Sequence, residues 1–279
     1  MKKPRSHSKL PTVLAFLAGL SVTVLTRKRD LFKARDDIIP FVINTQEAKS
    51  YSSKASFFDH ARETLYARAT KPVVSPHREK FTLRRWKRGN GGLFDSDRLL
   101  LGELYYNATS AFEFGLGEST KIAARVGLPR YAGVDSDAVW VSMARDASMD
   151  HFRFTFADIG STVKWGNPKN ANLQKIHFNY QFAPLIVEQD PFDVYLVDGR
   201  YRVACACASF LHAMSHGGDM SNVRVVIHDS DREQYQESFL KVADIEQQSK
   251  KLNVYKLRDG VTEEDVFNLW GEVVAITTR

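Results

Sequence analysis

Ala111-Phe112-Glu113-Phe114-Gly115-Leu116-Gly117-Glu118-Ser119-Thr120 decides the fold of this chain. A short apolar run ends in two glycines spaced by one residue, and a stretch of helical periodicity follows at once. Strand, glycine turn and helix together let backbone N–H groups approach a nucleotide-like ligand closely. A third glycine, which a dinucleotide fingerprint needs three residues after Gly117, is replaced by Thr120. That replacement disfavours a nicotinamide dinucleotide, because the pyrophosphate uses that close approach.

Downstream, short apolar runs alternate with amphipathic stretches, the pattern of a parallel sheet covered by helices on both faces. The spacing predicts strands over 110–114, 131–134, 152–157, 192–197, 223–227 and 252–257. It predicts helices over 97–106, 118–126, 137–147, 202–214 and 232–249. The chain therefore reads as α/β with a mostly parallel sheet. Four predicted strands end in acidic groups: Asp135, Asp158, Asp198 and, beside His228, Asp229. In an open parallel sheet the ligand crevice lies outside the carboxyl ends of the strands, so these side chains converge there.

Each has a chemistry to offer. Asp135 lies twenty residues after Gly115 and can accept both hydroxyls of a ribose. Glu113 is an acidic group within a strand suited to burial, and burying it is costly unless it meets a donor or cation. The ammonium of an amino-acid-like ligand would serve. Ser119 and Thr120 offer hydroxyls at a helix start, where simple N-capping is the alternative. Asp158 can receive an adenine amino group or form a turn.

These residues carry a resemblance. Glu113-Phe114-Gly115-Leu116-Gly117 followed by Asp135 resembles the first two motifs of class I S-adenosylmethionine-dependent methyltransferases. More narrowly, Phe114-Gly115-Leu116-Gly117, Asp135-Ser136-Asp137 with Trp140, Val197-Asp198-Gly199 and His228-Asp229-Ser230-Asp231-Arg232 resemble plant glucuronoxylan O-methyltransferases, across roughly residues 110–235. Arg200 departs from that family's pattern, which has a proline after the glycine. The resemblance implies a Rossmann-like class I methyltransferase fold with S-adenosyl-L-methionine as cofactor. Glu113, Gly115, Gly117, Ser119, Thr120, Asp135, Ser136 and Asp158 would hold that cofactor. It further implies methyl transfer to a hydroxyl or carboxyl oxygen of a small molecule or glycan. Asp198 is the first candidate for the base, ahead of Asp229 and His228. Asp198 and Asp229 alone are a thin basis for a cation site, and no metal is assigned. For Asp229 the competing role is local, since Ser230 and Glu233 read as a capping box. Arg200 and Arg202 meet either an acidic acceptor or neighbouring carboxylates. A non-catalytic interaction domain and a nicotinamide-dependent oxidoreductase are the rival functions.

Between residues 160 and 184 lies a long irregular piece with Trp165, Gly166, Pro168, His177, Tyr180 and Phe182. Such a loop in a compact domain is often a binding loop, and its aromatic groups either stack on an acceptor or anchor the loop. Cys205 and Cys207 sit two apart in an alanine-rich predicted helix, pointing to different sides, and read as small buried thiols.

Upstream, Leu10 to Thr26 is a seventeen-residue run without a charge, flanked by Lys2, Lys3, Arg5 and Lys9 before it and Arg27, Lys28 and Arg29 after it. As a helix it would span about 25 Å at about 1.5 Å per residue, slightly short of a hydrocarbon core. It reads as an uncleaved single-pass anchor, with a signal or transit peptide and a soluble apolar helix as alternatives. The resemblance adds an endomembrane, Golgi-like location. Residues 1–30 are thus the anchor, 31–95 a stem with a possible helix over 56–69, and 96–279 the methyltransferase-like domain. The basic stretch around Phe81 and Trp86 either rests on an anionic membrane or tucks its aromatic groups onto the domain.

Overall composition, 43% hydrophobic and 26% charged, is that of a folded domain. The net charge of +6 divides unevenly: residues 1–100 carry +12 and the remainder −6. A nucleic-acid groove should carry its own positive charge, so a nucleic-acid partner is not expected.

Overall fold

The computed structural model describes residues 72–73, 77–84, 86, 92–163, 167–169, 180–183, 188–232 and 237–277. All lie in one of the two units into which the chain divides, Arg62–Arg279. The Leu10–Thr26 run, the helix expected over 56–69, and Trp165, Gly166, His177 and Glu233 lie outside the described residues. Among the described residues no helix is long and apolar enough to cross a membrane.

Helix α1 (Asp95–Asn107) leads into β1 (Ser110–Phe114), α2 (Glu118–Val126), β2 (Arg130–Asp135), α3 (Ala138–Asp146) and β3 (Arg153–Phe156). A short antiparallel ribbon, β4 (Thr162–Val163) with β5 (Asn167–Pro168), follows. Then come β6 (Val194–Val197), α4 (Arg202–Ser215), β7 (Arg224–His228), β8 (Ala243–Gln248), β9 (Leu252–Leu257) and α5 (Glu263–Thr277). The main sheet has seven strands in the order β3-β2-β1-β6-β7-β9-β8. Strands β3, β2, β1, β6 and β7 pair in parallel. β9 is antiparallel to both of its neighbours.

β1, β2 and β6 are buried at every position, which is why they read as continuous apolar runs rather than alternating ones. Alternation survives in what each side chain meets. Phe112 and Phe114 pack against Phe192 and Tyr180. On the opposite face Ala111, Val194 and Leu196 join Leu101, Ile122 and Val141 of the first three helices. α4 packs on β6 and β7 and against α5, and its residues from Arg202 to Ala213 are all buried. Cys205 and Cys207 are fully buried free thiols there, and burial pushes both well above the usual thiol range. They are small core residues, as expected.

The helix expected over 232–249 is overturned at its end, because Ala243–Gln248 is the edge strand β8. Its glutamates, glutamines and lysine favour helix locally, but pairing with β9 supplies a backbone ladder that local propensity does not outweigh. Glu233, the capping-box partner expected for Ser230, lies outside the described residues, and the Ser230 hydroxyl and N–H both donate to the Lys251 carbonyl. This ties the end of β7 to the β8–β9 turn.

The segment before α1 lies on the domain. Arg78 donates to the carbonyls of Tyr105, Tyr106 and Ala108 at the α1 C-terminus, and Glu79 N donates to Val126 O. Phe81 is buried against Gly102 of α1 and packs edge-on against Trp86. Both aromatic groups tuck onto the domain.

Candidate active site

After β1 the chain moves outward through β2 and β3, then crosses back to β6 on the other side of β1. The two loops leaving β1 and β6 thus diverge at a topological switch point, where an open sheet leaves a crevice. Two glycines let these loops touch. Gly115 has φ +91°, and a Cβ there would lie 2.6 Å from Gly199 N. A Cβ on Gly199 would run into the Tyr180 hydroxyl. Gly117 differs: among the described residues nothing lies within 4 Å of where its Cβ would be, and it lines the cleft.

A cleft of about 750 Å³ opens here, within the range of small-molecule and cofactor sites. Asp135 lines it and binds the glycine turn to β2. Its Oδ2 accepts from Leu116 N at 2.8 Å and its Oδ1 from Asp137 N at 2.9 Å. Each oxygen keeps capacity for a further donor. Burial pushes this carboxyl up to about 6 against the opposing pull of those N–H groups. Ser136 and Ser119 line the same cleft.

Glu113 lies beneath the turn, fully buried. Its donors in this structure are the chain's own hydroxyls: Ser119 and Tyr131, with Thr120 at 2.8 Å. Thr120 Oγ1 also accepts from Gly117 N at 3.2 Å. Burial raises the Glu113 carboxyl to about 7, although all three hydrogen bonds oppose the rise. It is therefore a support for the glycine turn, and Thr120 fills the third-glycine position as part of that support. Asp158 is exposed, and its Oδ1 accepts from Gly160 N at 2.8 Å, the turn-forming alternative. It is not among the residues lining the cleft.

The far wall is a charged cluster. His228 Nδ1 lies 2.6 Å from Asp198 Oδ1 and 3.7 Å from Asp229 Oδ1. Arg202 reaches Asp198 at 3.4 Å and Asp229 at 3.1 Å, and Arg232 reaches Asp229 at 2.8 Å. Arg202 and Arg232 thus pair with neighbouring carboxylates. Asp229 holds φ +54°, a left-handed conformation that Asp adopts more readily than most residues. Burial alone would lower the His228 imidazole, but its hydrogen bond to Asp198 and the charges of Asp198 and Asp229 outweigh that, and it is raised. The bond to Asp198 assigns the proton to Nδ1 and leaves a lone pair on Nε2. Nε2 is buried and has no hydrogen-bond partner among the described residues. Among those residues no group of three or more His, Cys, Asp or Glu side chains is arranged to hold a metal ion.

Chain position alone did not place Gly92, Leu93 or Met143 in the cleft, whereas Tyr180 of the expected binding loop does line it. Gly102 was the available signal for the first two. A glycine inside a helical pattern marks a close approach of something packed there, here the segment that leads to Gly92.

No family model matches the chain, and no curated protein matches it in sequence. Among solved structures, a methyltransferase-like protein from Silicibacter pomeroyi DSS-3 matches with a TM-score of 0.55 at 21% identity, over 67% of this chain and 98% of that one. The N-methyltransferase NodS from Bradyrhizobium japonicum WM9 matches with a TM-score of 0.33 at 12% identity, over 58% and 94%. The fold is α/β, of the Rossmann-like class I methyltransferase type.

Proposed function

We propose that this domain is an S-adenosylmethionine-dependent methyltransferase acting on an oxygen of its acceptor. One observation carries the reading: Asp135 and the Asp198–His228 pair face a single cleft at the switch point, beside a glycine turn whose Gly117 lines it. The residues fit the cofactor. Asp135 has the acceptor capacity for ribose hydroxyls. Gly115, Gly117 and the start of α2 with Ser119 line the side where the amino-acid end would lie. When bound, S-adenosylmethionine supplies a sulfonium methyl group.

The chain's own part is positioning and proton transfer. His228 Nε2 takes the acceptor's proton as the acceptor oxygen forms its bond to the methyl carbon. The bound donor would give up its methyl group to that oxygen and leave, with the bond's electron pair, as S-adenosylhomocysteine. Asp198 holds the imidazole through Nδ1 and stabilises the imidazolium. This makes His228 the base and Asp198 its orienting partner.

The charge balance of −6 after residue 100 supports a small-molecule or glycan acceptor over nucleic acid. The motif resemblance favours a glycan. The uncharged Leu10–Thr26 run supports a membrane tether in the endomembrane system. The test is calorimetric titration of S-adenosylhomocysteine into the protein. Wild type is expected to bind and Asp135→Ala to bind at least about tenfold more weakly, about 1.4 kcal/mol. A wild-type protein that does not bind, or an Asp135→Ala variant of unchanged affinity, overturns the reading.

A further inference from the structure

His228 Nε2 needs a partner, and the structure limits which atom can become one. The side chain is 6% exposed, and Nε2 itself is buried with no hydrogen-bond partner among the described residues. A buried ring nitrogen left unpaired is unfavourable, and such groups mark places where a ligand or water completes the arrangement. The ring edge is bounded by Gly92. A Cβ at that position would lie 3.2 Å from Cε1 and 3.9 Å from Nε2. Among the described residues those are the only atoms within 4 Å of that Cβ, and Gly92 and His228 both line the cleft, so the ring edge faces a gap that opens to it.

Gly92 is held in this place from its downstream side. Downstream, Leu93 is buried and Phe94 N donates to Asp97 Oδ2. Asp97 Oδ1 in turn accepts from Ser249 Oγ at 2.5 Å and Lys251 N at 2.9 Å. The position of Gly92 is therefore coupled to the β8–β9 turn.

We propose that the gap beside Gly92 at the His228 ring edge receives the acceptor's reacting hydroxyl group, with Gly92 as a specificity-determining residue. The inference rests on the methyltransferase reading and narrows its acceptor. Nδ1 carries the proton shared with Asp198, so Nε2 offers a lone pair and requires a hydrogen-bond donor. An alcohol or phenol hydroxyl donates one, whereas an ionised carboxylate has no proton to give. The product is a methyl ether.

The experiment uses the full chain with Gly92→Ala and Gly92→Ser. Calorimetry with S-adenosylhomocysteine should give affinities within about twofold of wild type. Transfer of labelled methyl groups from S-adenosylmethionine to a panel of oligosaccharides and phenols should fall at least tenfold in Gly92→Ser, and the wild-type product should resist alkali. The nitrogen NMR resonance of His228 Nε2 should move in Gly92→Ser, whose hydroxyl would occupy the gap, and this reading does not depend on turnover. An alkali-labile methyl ester, wild-type turnover in Gly92→Ser, or an unmoved Nε2 resonance overturns the inference. Absence of S-adenosylhomocysteine binding in wild type sinks the methyltransferase reading instead, and the NMR comparison still decides whether Gly92 controls the space over Nε2.

Discussion

Glu113 shows how much one residue's meaning depends on what folds around it. Its carboxyl is raised to about 7 chiefly by burial, whereas in the unfolded chain it titrates at about 4.3. Between those values the native state holds a proton that the unfolded state has lost, so stability falls as pH rises through that window and levels off above it. Glu113→Gln has no proton to lose. Relative to wild type it should gain stability between pH 5 and pH 8, with an upper bound of roughly 3 kcal/mol. Urea unfolding of both proteins at the two pH values measures this, and parallel pH dependences would refute it. Asp198 gives a second prediction. His228 acts as a base only when neutral, so activity falls as pH drops through its raised pKa. Asp198→Asn removes the charge that raises it, weakens the hydrogen bond to a neutral one and leaves the burial that lowers it. The acidic limb of kcat/KM should move to lower pH, while the plateau drops by on the order of 10²-fold. An unshifted limb would mean that His228 is not the titrating group.

Helix α1 carries the corresponding lesson for elements. Gly102 sits in its interior, where alanine would ordinarily stabilise by about 1 kcal/mol. Here the added Cβ would lie 2.5 Å from Phe81 Cβ, so Gly102→Ala should lower the melting temperature instead. A rise on thermal denaturation would mean that Phe81 yields easily and the segment before α1 is loosely held. The edge strand β8 is the opposite case. Its Glu246 pairs with Arg224 across the sheet, a long-range contact that helical propensity along the chain does not encode. Glycine turns, caps and buried parallel strands are legible because their causes are local. Strand pairing at an edge and the seating of the segment before α1 are not, because their causes lie far away in sequence.

Across the whole molecule, charge divides between a basic N-terminal third and an acidic remainder. A chain beginning at residue 72 keeps Arg78, Phe81, Trp86 and Gly92 and should bind S-adenosylhomocysteine like the full protein. One beginning at residue 95 loses them, and should bind more weakly and melt at lower temperature, by calorimetry and thermal denaturation. Equal behaviour would show the segment to be dispensable. After alkaline carbonate washing, the full chain should stay with the membrane pellet and the chain from residue 72 should not. A soluble full chain would remove the proposed tether.

The alternation of apolar runs and helical stretches, the glycine turn and the acidic strand ends determined by themselves an α/β sheet with its crevice at the strand tips. Backbone sterics and the burial of parallel strands act over a few residues, so they are written in local sequence. Tertiary structure decided which acidic groups share that crevice. It separated Asp158 from Asp135 and Asp198, turned Glu113 onto hydroxyls beneath the glycine turn, and placed His228 between Asp198 and Gly92. Those outcomes depend on distances between residues up to more than a hundred positions apart, which packing of the sheet and its helices sets and local sequence does not.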